Sequence, residues 1–220
     1  MQKTTLLSVE AVTHDVRRFK FRRPGGFGYQ PGDATELALD IENWRDEKRP
    51  FTMTSLPDDE EIEFTIKGYP EHDGVTTRLH ALQPGDTVLI DEPFETFRYK
   101  GKGVFIAGGA GLTPFLAILR DLRAKGELQG NQLIFANKEE KDIICADELA
   151  AMEGLDLEHV LSEEDKGGYR HGQIDVALLK DLVPDFDRRF YLCGPPPMQK
   201  AIQEDLQELG VDADSVSLSD

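Results

Sequence analysis

Gly103-Val104-Phe105-Ile106-Ala107-Gly108-Gly109-Ala110-Gly111-Leu112-Thr113-Pro114 is the stretch whose reading decides the fold. Residues 103–107 form an apolar run bounded by glycine, as a short sheet strand does. A Gly-rich turn follows, and then an amphipathic helical pattern over 114–125. That strand–turn–helix context makes Gly108, Gly109, Gly111, Thr113 and Pro114 candidates for a pyrophosphate cradle, because backbone N–H groups at a helix start face an anion. The spacing departs from G-x-G-x-x-G, and a tight turn needing glycine's backbone freedom is the plainer alternative.

Downstream, the rhythm repeats. Residues 133–136, 157–161 and 190–193 read as strands, 146–153 and 197–209 as helices, and 174–182 continues the alternation. Strands alternating with helices imply a parallel sheet of βαβ units, a Rossmann-like α/β domain. Upstream, short strands are expected at 6–12, 17–22, 35–41, 61–67 and 87–90, with turns at Gly25-Gly26, Pro31-Gly32-Asp33 and Gln83-Pro84-Gly85-Asp86. One helix is expected at 75–82. Many short strands with turn signals imply an antiparallel β-barrel. The expected division is therefore a β domain over 1–99 and an α/β domain over 100–220.

Composition bounds the function. Hydrophobic residues make up 39% of 220, with Gly 20 and Pro 12, as in ordinary globular chains. No apolar run approaches the roughly 20 residues of a membrane span, and the first residues do not read as a signal peptide, so a cytoplasmic protein is expected. The two cysteines, Cys145 and Cys193, cannot ligate an iron–sulfur cluster, and the five histidines lack metal-ligand spacing, so no metal site is expected. Acidic residues outnumber basic ones 42 to 25, for a net charge of −17. Nucleic acid phosphate would be repelled by that charge. A solvated acidic surface is the simplest reading, and a halophile's surface would look the same.

Three further segments carry chemistry. Arg49-Pro50-Phe51-Thr52-Met53-Thr54-Ser55 offers a cation, a flat aromatic and hydroxyls along an extended strand. Arg49 suits a phosphate, Phe51 a ring system and Thr52 a ring heteroatom, although an ordinary strand with an exposed arginine reads equally well. Gly74-Val75-Thr76-Thr77 opens the predicted helix and suits an anion, or simply caps it. Cys193-Gly194-Pro195-Pro196-Pro197-Met198 follows the last predicted sheet strand, at the edge where α/β sheets bind ligands; a buried cysteine there is more often packing.

In this order and at these separations, the segments resemble the ferredoxin–NADP reductase superfamily, from about residue 12 to 209. Arg49 to Ser55 resembles that family's R-x-Y-S flavin motif, and Gly74 to Thr77 its G-x-x-S/T motif. The Gly108 and Cys193 segments resemble its nicotinamide-nucleotide motifs. The resemblance implies an FAD-binding barrel followed by an NAD(P)-binding domain. It implies that Arg49 holds the FAD phosphates, with Pro50 beside it, that Phe51 lies against the isoalloxazine, and that Thr52 hydrogen-bonds near flavin N5. Thr54, Ser55, Thr65, Ile66 and Lys67 would line the flavin's path, and Gly74, Val75, Thr76 and Thr77 would close on the pyrophosphate. Gly108, Gly109, Gly111, Thr113, Pro114, Asn137, Ser162, Glu163, Gly194, Pro195 and Met198 would receive the dinucleotide. Cys193 would align the nicotinamide; Thr52 and Cys193 are thus the implied catalytic pair.

Departures stand beside these matches. Phe51 replaces the family's usual tyrosine, and Pro93-Phe94-Glu95 replaces its common P-F-G. The sequence ends Val216-Ser217-Leu218-Ser219-Asp220 without the aromatic that many relatives place over the flavin, which would leave the ring open to a nicotinamide or to oxygen. NADPH-using members tend to carry Ser-Arg after the third α/β strand. Ser162-Glu163-Glu164-Asp165 stands here instead, and carboxylates repel a 2′-phosphate, so NADH is expected over NADPH, unless Lys138 or Lys166 compensates.

The implied activity is hydride transfer from NAD(P)H to FAD, with electrons passed onward to a separate acceptor such as ferredoxin or flavodoxin. Such acidic carriers would be repelled by this surface unless basic residues cluster or salt screens them, and Arg17, Arg18, Arg22 and Arg23 are the local basic run that could serve. Alternatives are a flavin reductase that releases reduced flavin or reduces small acceptors, and a nonenzymatic FAD-binding regulatory subunit.

Overall fold

The structure, a computed structural model, describes residues 1–218. Ser219 and Asp220, the end of the segment without a terminal aromatic, lie outside the described residues. Thirteen strands and five α-helices among the described residues divide between two sheets.

The first sheet is antiparallel. It holds β1 (Gln2–Ala11), β2 (Val16–Arg22), β3 (Asp33–Leu39), β4 (Arg49–Thr52), β5 (Glu61–Lys67), β6 (Thr87–Ile90) and the short β7 (Phe94–Glu95) in the order β4-β3-β6-β1-β2-β5, with β7 on β3. The two ends of this order meet: Met53 bridges Phe64, and the Thr54 amide donates to the Glu63 carbonyl at 2.7 Å. The sheet is thereby nearly a closed barrel, which leaves little open edge. Phe19, Phe21, Leu37, Ile62 and Phe64 fill its interior. The helix α1 (Val75–His80) buries Val75 and Leu79 against that core, two residues shorter at its end than the sequence pattern predicts.

The second sheet is parallel, in the order β11-β10-β9-β8-β12-β13. Its strands are β8 (Gly103–Gly108), β9 (Gln132–Asn137), β10 (Asp156–Leu161), β11 (Arg170–His171), β12 (Arg189–Cys193) and β13 (Val216–Leu218). Every residue of β8 is buried, because helices cover both faces. Phe105 and Ala107 face α2 (Leu112–Lys125) and α3 (Ala146–Ala150); Val104 and Ile106 face α4 (Val176–Leu182) and α5 (Pro196–Glu208). Burying each such aromatic or branched aliphatic contributes about 1.5–3 kcal/mol. From β8 the chain winds outward through β9 to β11 and returns to β12 on the other side. That reversal opens a crevice at the carboxyl ends of β8, β9 and β12, where doubly wound sheets bind their ligands.

The domains share a core. Phe97, leaving the barrel, lies edge-on to Phe115 of α2 at 5.0 Å, and Val16 joins the same cluster. β7, β11 and β13 are too short to carry a periodic signal, and the sequence reading does not include them. Among the described residues, no helix is long and apolar enough to cross a membrane.

Candidate functional site

β8 delivers the chain to a turn, Gly109–Gly111, and α2 begins at Leu112. At Gly108 and Gly111 the chain packs against the end of β12 and the loop after it without room for a side chain. A Cβ on Gly111 would lie 2.6 Å from the Cys193 carbonyl carbon and 2.7 Å from the Gly194 nitrogen; one on Gly108 would meet Pro195 Cδ at 3.0 Å and the Met198 sulfur. Glycine is required here by close approach. Thr113 donates its hydroxyl to the Ala110 carbonyl at 3.1 Å, and Pro114 sits in the first helical turn, where it leaves no amide unpaired. Cys193 ends β12 opposite Ala107 and is buried. The Gly108 and Cys193 segments, 85 residues apart in number, thus form one surface.

That surface borders a cleft of about 450 Å³, walled by Gly108, Asn137, Lys138, Ser162, Pro195 and Met198 from the α/β domain and by Lys67 from the barrel. The volume suits a nucleotide. Asn137, at the end of β9, has both side-chain polar atoms buried with no hydrogen-bond partner. A buried amide is costly unless paired, so the donor and acceptor it holds at this wall fit a polar ligand. Ser162 is fixed by its amide donating to the Asn137 carbonyl at 3.0 Å.

The acidic run after β10 is differently disposed. Glu163 pairs with Lys138 at 2.8 Å, and Glu164 accepts from the Glu140 amide at 2.7 Å. Glu140 in turn holds Lys166 and the Tyr169 hydroxyl. Hydrogen bonding to Glu163 holds the Lys138 ammonium above its ordinary pKa, and Lys166 holds the Glu140 carboxyl below its own. Glu163 and Glu140 are therefore already partnered by lysines, and Glu164 by a backbone amide.

On the barrel side, Arg49 and Pro50 are exposed, and Phe51 and Thr52 are half-buried. The Arg49 guanidinium touches the Lys48 carbonyl at 2.6 Å and Glu47 at 3.5 Å. Lys67 pairs with Asp15 at 2.8 Å while lining the cleft. Gly74 caps α1 without a side-chain hydrogen bond, its own amide donates to the His72 carbonyl at 2.8 Å, and beyond its chain neighbours no atom lies within 4 Å of where its Cβ would be. Thr76 is half-buried at that end. An exposed cation, a half-buried aromatic and hydroxyl, and an uncapped glycine turn are a donor set that fits a flavin dinucleotide.

Several of the predicted site residues direct their side chains into the protein. Thr54, Ser55, Thr65, Ile66 and Val75 turn inward and are buried. Thr54 donates to Glu63 at 2.8 Å and meets Thr65 at 3.2 Å; Ser55 accepts from the Glu63 amide and pairs with Tyr29. His80 Nε2 lies 2.9 Å from the Ile66 carbonyl, and Thr77 donates to the carbonyls of Tyr69 and His72. The side chains of Thr54 and Ser55 turn inward because beyond Thr52 the strand becomes the barrel's closing seam, so any contact these residues make with a ligand runs through their backbone. The basic run is also engaged: Arg17 donates to the His80 carbonyl, Arg23 to the carbonyls of Phe27 and Asp59, and Arg18 reaches Glu10, Glu63 and Glu148.

Sequence reasoning missed Arg120, whose side chain is only 17% exposed and whose guanidinium contacts both domains. Its one signal is a charge within the apolar helix Leu112-Thr113-Pro114-Phe115-Leu116-Ala117-Ile118-Leu119-Arg120.

Comparison with known proteins agrees with this geometry. Residues 3–99 match the family model described as an oxidoreductase FAD-binding domain, and residues 105–204 match that of an oxidoreductase NAD-binding domain. The chain is 28% identical over 223 residues to the ferredoxin–NAD(P)(+) reductase component of a naphthalene 1,2-dioxygenase system from Pseudomonas putida, covering 97% of this chain and 67% of that one. It spans about two thirds of the length of that relative and of the two that follow it in similarity. It is 30% identical over 247 residues to NADH-cytochrome b5 reductase 1 of Bos taurus, covering 93% and 81%. Its fold superimposes on the FAD/NAD-binding domain of a nitric oxide dioxygenase from Vibrio cholerae with a TM-score of 0.88 at 23% identity, covering 99% and 97%. The chain belongs to the ferredoxin reductase-like superfamily, as an oxidoreductase with an FAD-binding barrel and an NAD(P)-binding α/β domain.

Proposed function

We propose that this chain is an NAD(P)H-dependent flavoprotein reductase that passes electrons to a separate carrier protein such as a ferredoxin, with the two domains dividing at residues 99 and 100. One observation carries the reading: Lys67, from the barrel's flavin segment, and Gly108, Pro195 and Met198, from the dinucleotide segments, wall the same cleft. The likeness to a ferredoxin–NAD(P)(+) reductase component supports the choice of acceptor. A cytoplasmic location, where reduced nicotinamide nucleotides are at hand, fits it.

In this reading Arg49 binds the FAD phosphates by charge-assisted hydrogen bonds, Phe51 covers one face of the ring, and Thr52 orients its N5 edge. The backbone at Gly74 to Thr77 receives the pyrophosphate. When bound, FAD supplies a two-electron acceptor for the hydride of a reduced nicotinamide. The Gly108–Gly111 turn admits the dinucleotide closely, Asn137 takes up its hydrogen bonds, and Cys193, at the end of β12, aligns the nicotinamide. Catalysis by the protein is then chiefly orientation.

NADH is the preferred donor. Glu163 already holds Lys138 at 2.8 Å, so a 2′-phosphate would have to break that pair, whereas a 2′-hydroxyl would not. The name of the bovine relative agrees. Anaerobic titration with NADH and then NADPH, followed by the flavin's visible absorption, tests this. Faster bleaching by NADH is expected. A preference for NADPH refutes the donor assignment, and a yellow protein that neither nucleotide bleaches refutes the reductase reading.

A further inference from the structure

Arg120 lies about 12 Å along α2 from Leu112, at a rise of about 1.5 Å per residue. Its Nη1 donates to the Thr54 carbonyl at 2.5 Å and to Glu63 Oε1 at 2.7 Å. Its Nε and Nη2 grip Glu148 of α3 at 2.6 and 2.8 Å. Arg18 of β2 brackets the same carboxylates from the other side, at 3.5 Å from Glu63 and 3.6 Å from Glu148, and donates to the Cys145 sulfur at 3.4 Å. Two arginines thus bracket Glu63 and Glu148 at the seam between the domains, with the more exposed Glu10 at 3.7 Å from Arg18. Burial opposes the Arg120 charge, but hydrogen bonds to Glu148 and the field of Glu63 outweigh it and raise its pKa above the ordinary value.

Such a cluster is poor value as a source of stability, since the desolvation of buried ions offsets much of their attraction. What it supplies is direction. Elsewhere the seam holds apolar contact such as Phe97 on Phe115, which joins the domains without fixing their register, and single polar contacts such as His14 to Asp142 at 3.7 Å and Tyr99 to Asn131 at 3.2 Å. The planar guanidinium fixes the register, because one rigid fork binds three partners at once. The elements it joins matter most. α2 carries the Gly109–Gly111 turn at its start, and Thr54 lies two residues beyond Thr52.

We propose that Arg120 is a positioning residue for hydride transfer: by tying α2 to the Thr54 carbonyl, it sets the dinucleotide turn at a fixed distance from the Thr52 segment. The inference rests on the reductase reading above. A displacement of about 1 Å at reacting atoms costs on the order of a hundredfold in rate.

The test compares wild type, Arg120→Lys and Glu148→Gln. Lysine keeps the charge but cannot reach Thr54, Glu63 and Glu148 together. Glu148→Gln leaves Arg120 on Thr54 and Glu63. The readouts are FAD content, KM for NADH, melting temperature, and the saturating rate of anaerobic flavin bleaching with NADH and with C4-deuterated NADH. Arg120→Lys is expected to lose about tenfold or more of the saturating rate. Its deuterium isotope effect should be at least as large as that of wild type, with FAD content and KM within about twofold. Glu148→Gln is expected to melt lower yet keep its rate within about threefold. A wild-type rate in Arg120→Lys, or a loss that merely tracks lost FAD, overturns the proposal. Should Arg120→Lys not fold, Glu63→Gln, which loosens Nη1 at Thr54, is expected to lose rate in the same sense, and a wild-type rate there overturns it. Failure of wild type to be bleached by either nucleotide is visible before any variant is compared, and overturns the underlying reductase reading together with this one.

Discussion

Gly111→Ala probes the junction on which the dinucleotide site depends. Gly111 has φ −63° and ψ −6°, an ordinary right-handed conformation, so alanine introduces no backbone strain. The effect is purely steric. The new Cβ would lie 2.6 Å from the Cys193 carbonyl carbon and 2.7 Å from the Gly194 nitrogen, where ordinary contact begins at 3.4 Å. Both neighbours are backbone atoms in a rigid Pro-rich turn, so the gap must widen by the better part of 1 Å. Overpacking of this kind costs about 1–3 kcal/mol, or roughly 2–12 °C in melting temperature for a chain of this size. Because the widened gap lies where the nicotinamide is aligned, the saturating rate of hydride transfer should fall by between about ten- and a hundredfold. FAD content should stay at the wild-type level, since the barrel is untouched. Stopped-flow bleaching under anaerobic conditions measures the rate. Gly109→Ala is the control for stability alone, since Gly109 lines the cleft: nothing lies within 4 Å of its Cβ, and its φ of +51° makes the cost one of conformation, about 1 kcal/mol, without moving Cys193. Gly111→Ala with an unchanged rate and melting temperature would refute the reasoning.

Further outcomes follow from the same geometry. Arg49→Leu removes an exposed guanidinium with little effect on the barrel, and should weaken FAD retention by about ten- to a hundredfold, read by fluorescence of released flavin on dilution. Glu163→Gln frees Lys138 from its 2.8 Å pair and should move the kcat/KM ratio toward NADPH by about two- to fivefold, as an exposed ion pair allows; a ratio that does not move removes Lys138 from the ribose site. Stability should decline as pH falls below 6.5, because burial holds His80 and His159 below that value in the folded chain. Between the folded and unfolded pKa values the unfolded chain binds more protons, so this stability is complete above 6.5 and lost on acidification. Melting temperatures from pH 8 to pH 5 check it, and His80→Gln should flatten part of the slope.

The sequence by itself determined the class of this protein. An apolar strand, a glycine turn and a helix start are local features, set by side-chain period and backbone freedom within a dozen residues, and Gly103 to Pro114 folds as its pattern implies. β5 appears at the boundaries its alternation predicts, and β6 where the turn at Gln83 to Asp86 places it. The order of the Arg49, Gly74, Gly108 and Cys193 segments was also legible. What only the tertiary structure decided is where the polar side chains after Thr52 point. Strand alternation alone does not show that Met53 to Ser55 close the barrel; that depends on Phe64 and Glu63 lying opposite. The same holds for charge. Arg17, Arg18 and Arg23 read as a basic surface, yet each meets a partner supplied by another part of the chain. Arg120 reads as one charge on a helix, and becomes the joint between domains only because Thr54, Glu63 and Glu148, 66, 57 and 28 residues away, converge on it. Local pattern fixes elements, but a charge acquires its role from partners that the chain brings near only when the domains pack.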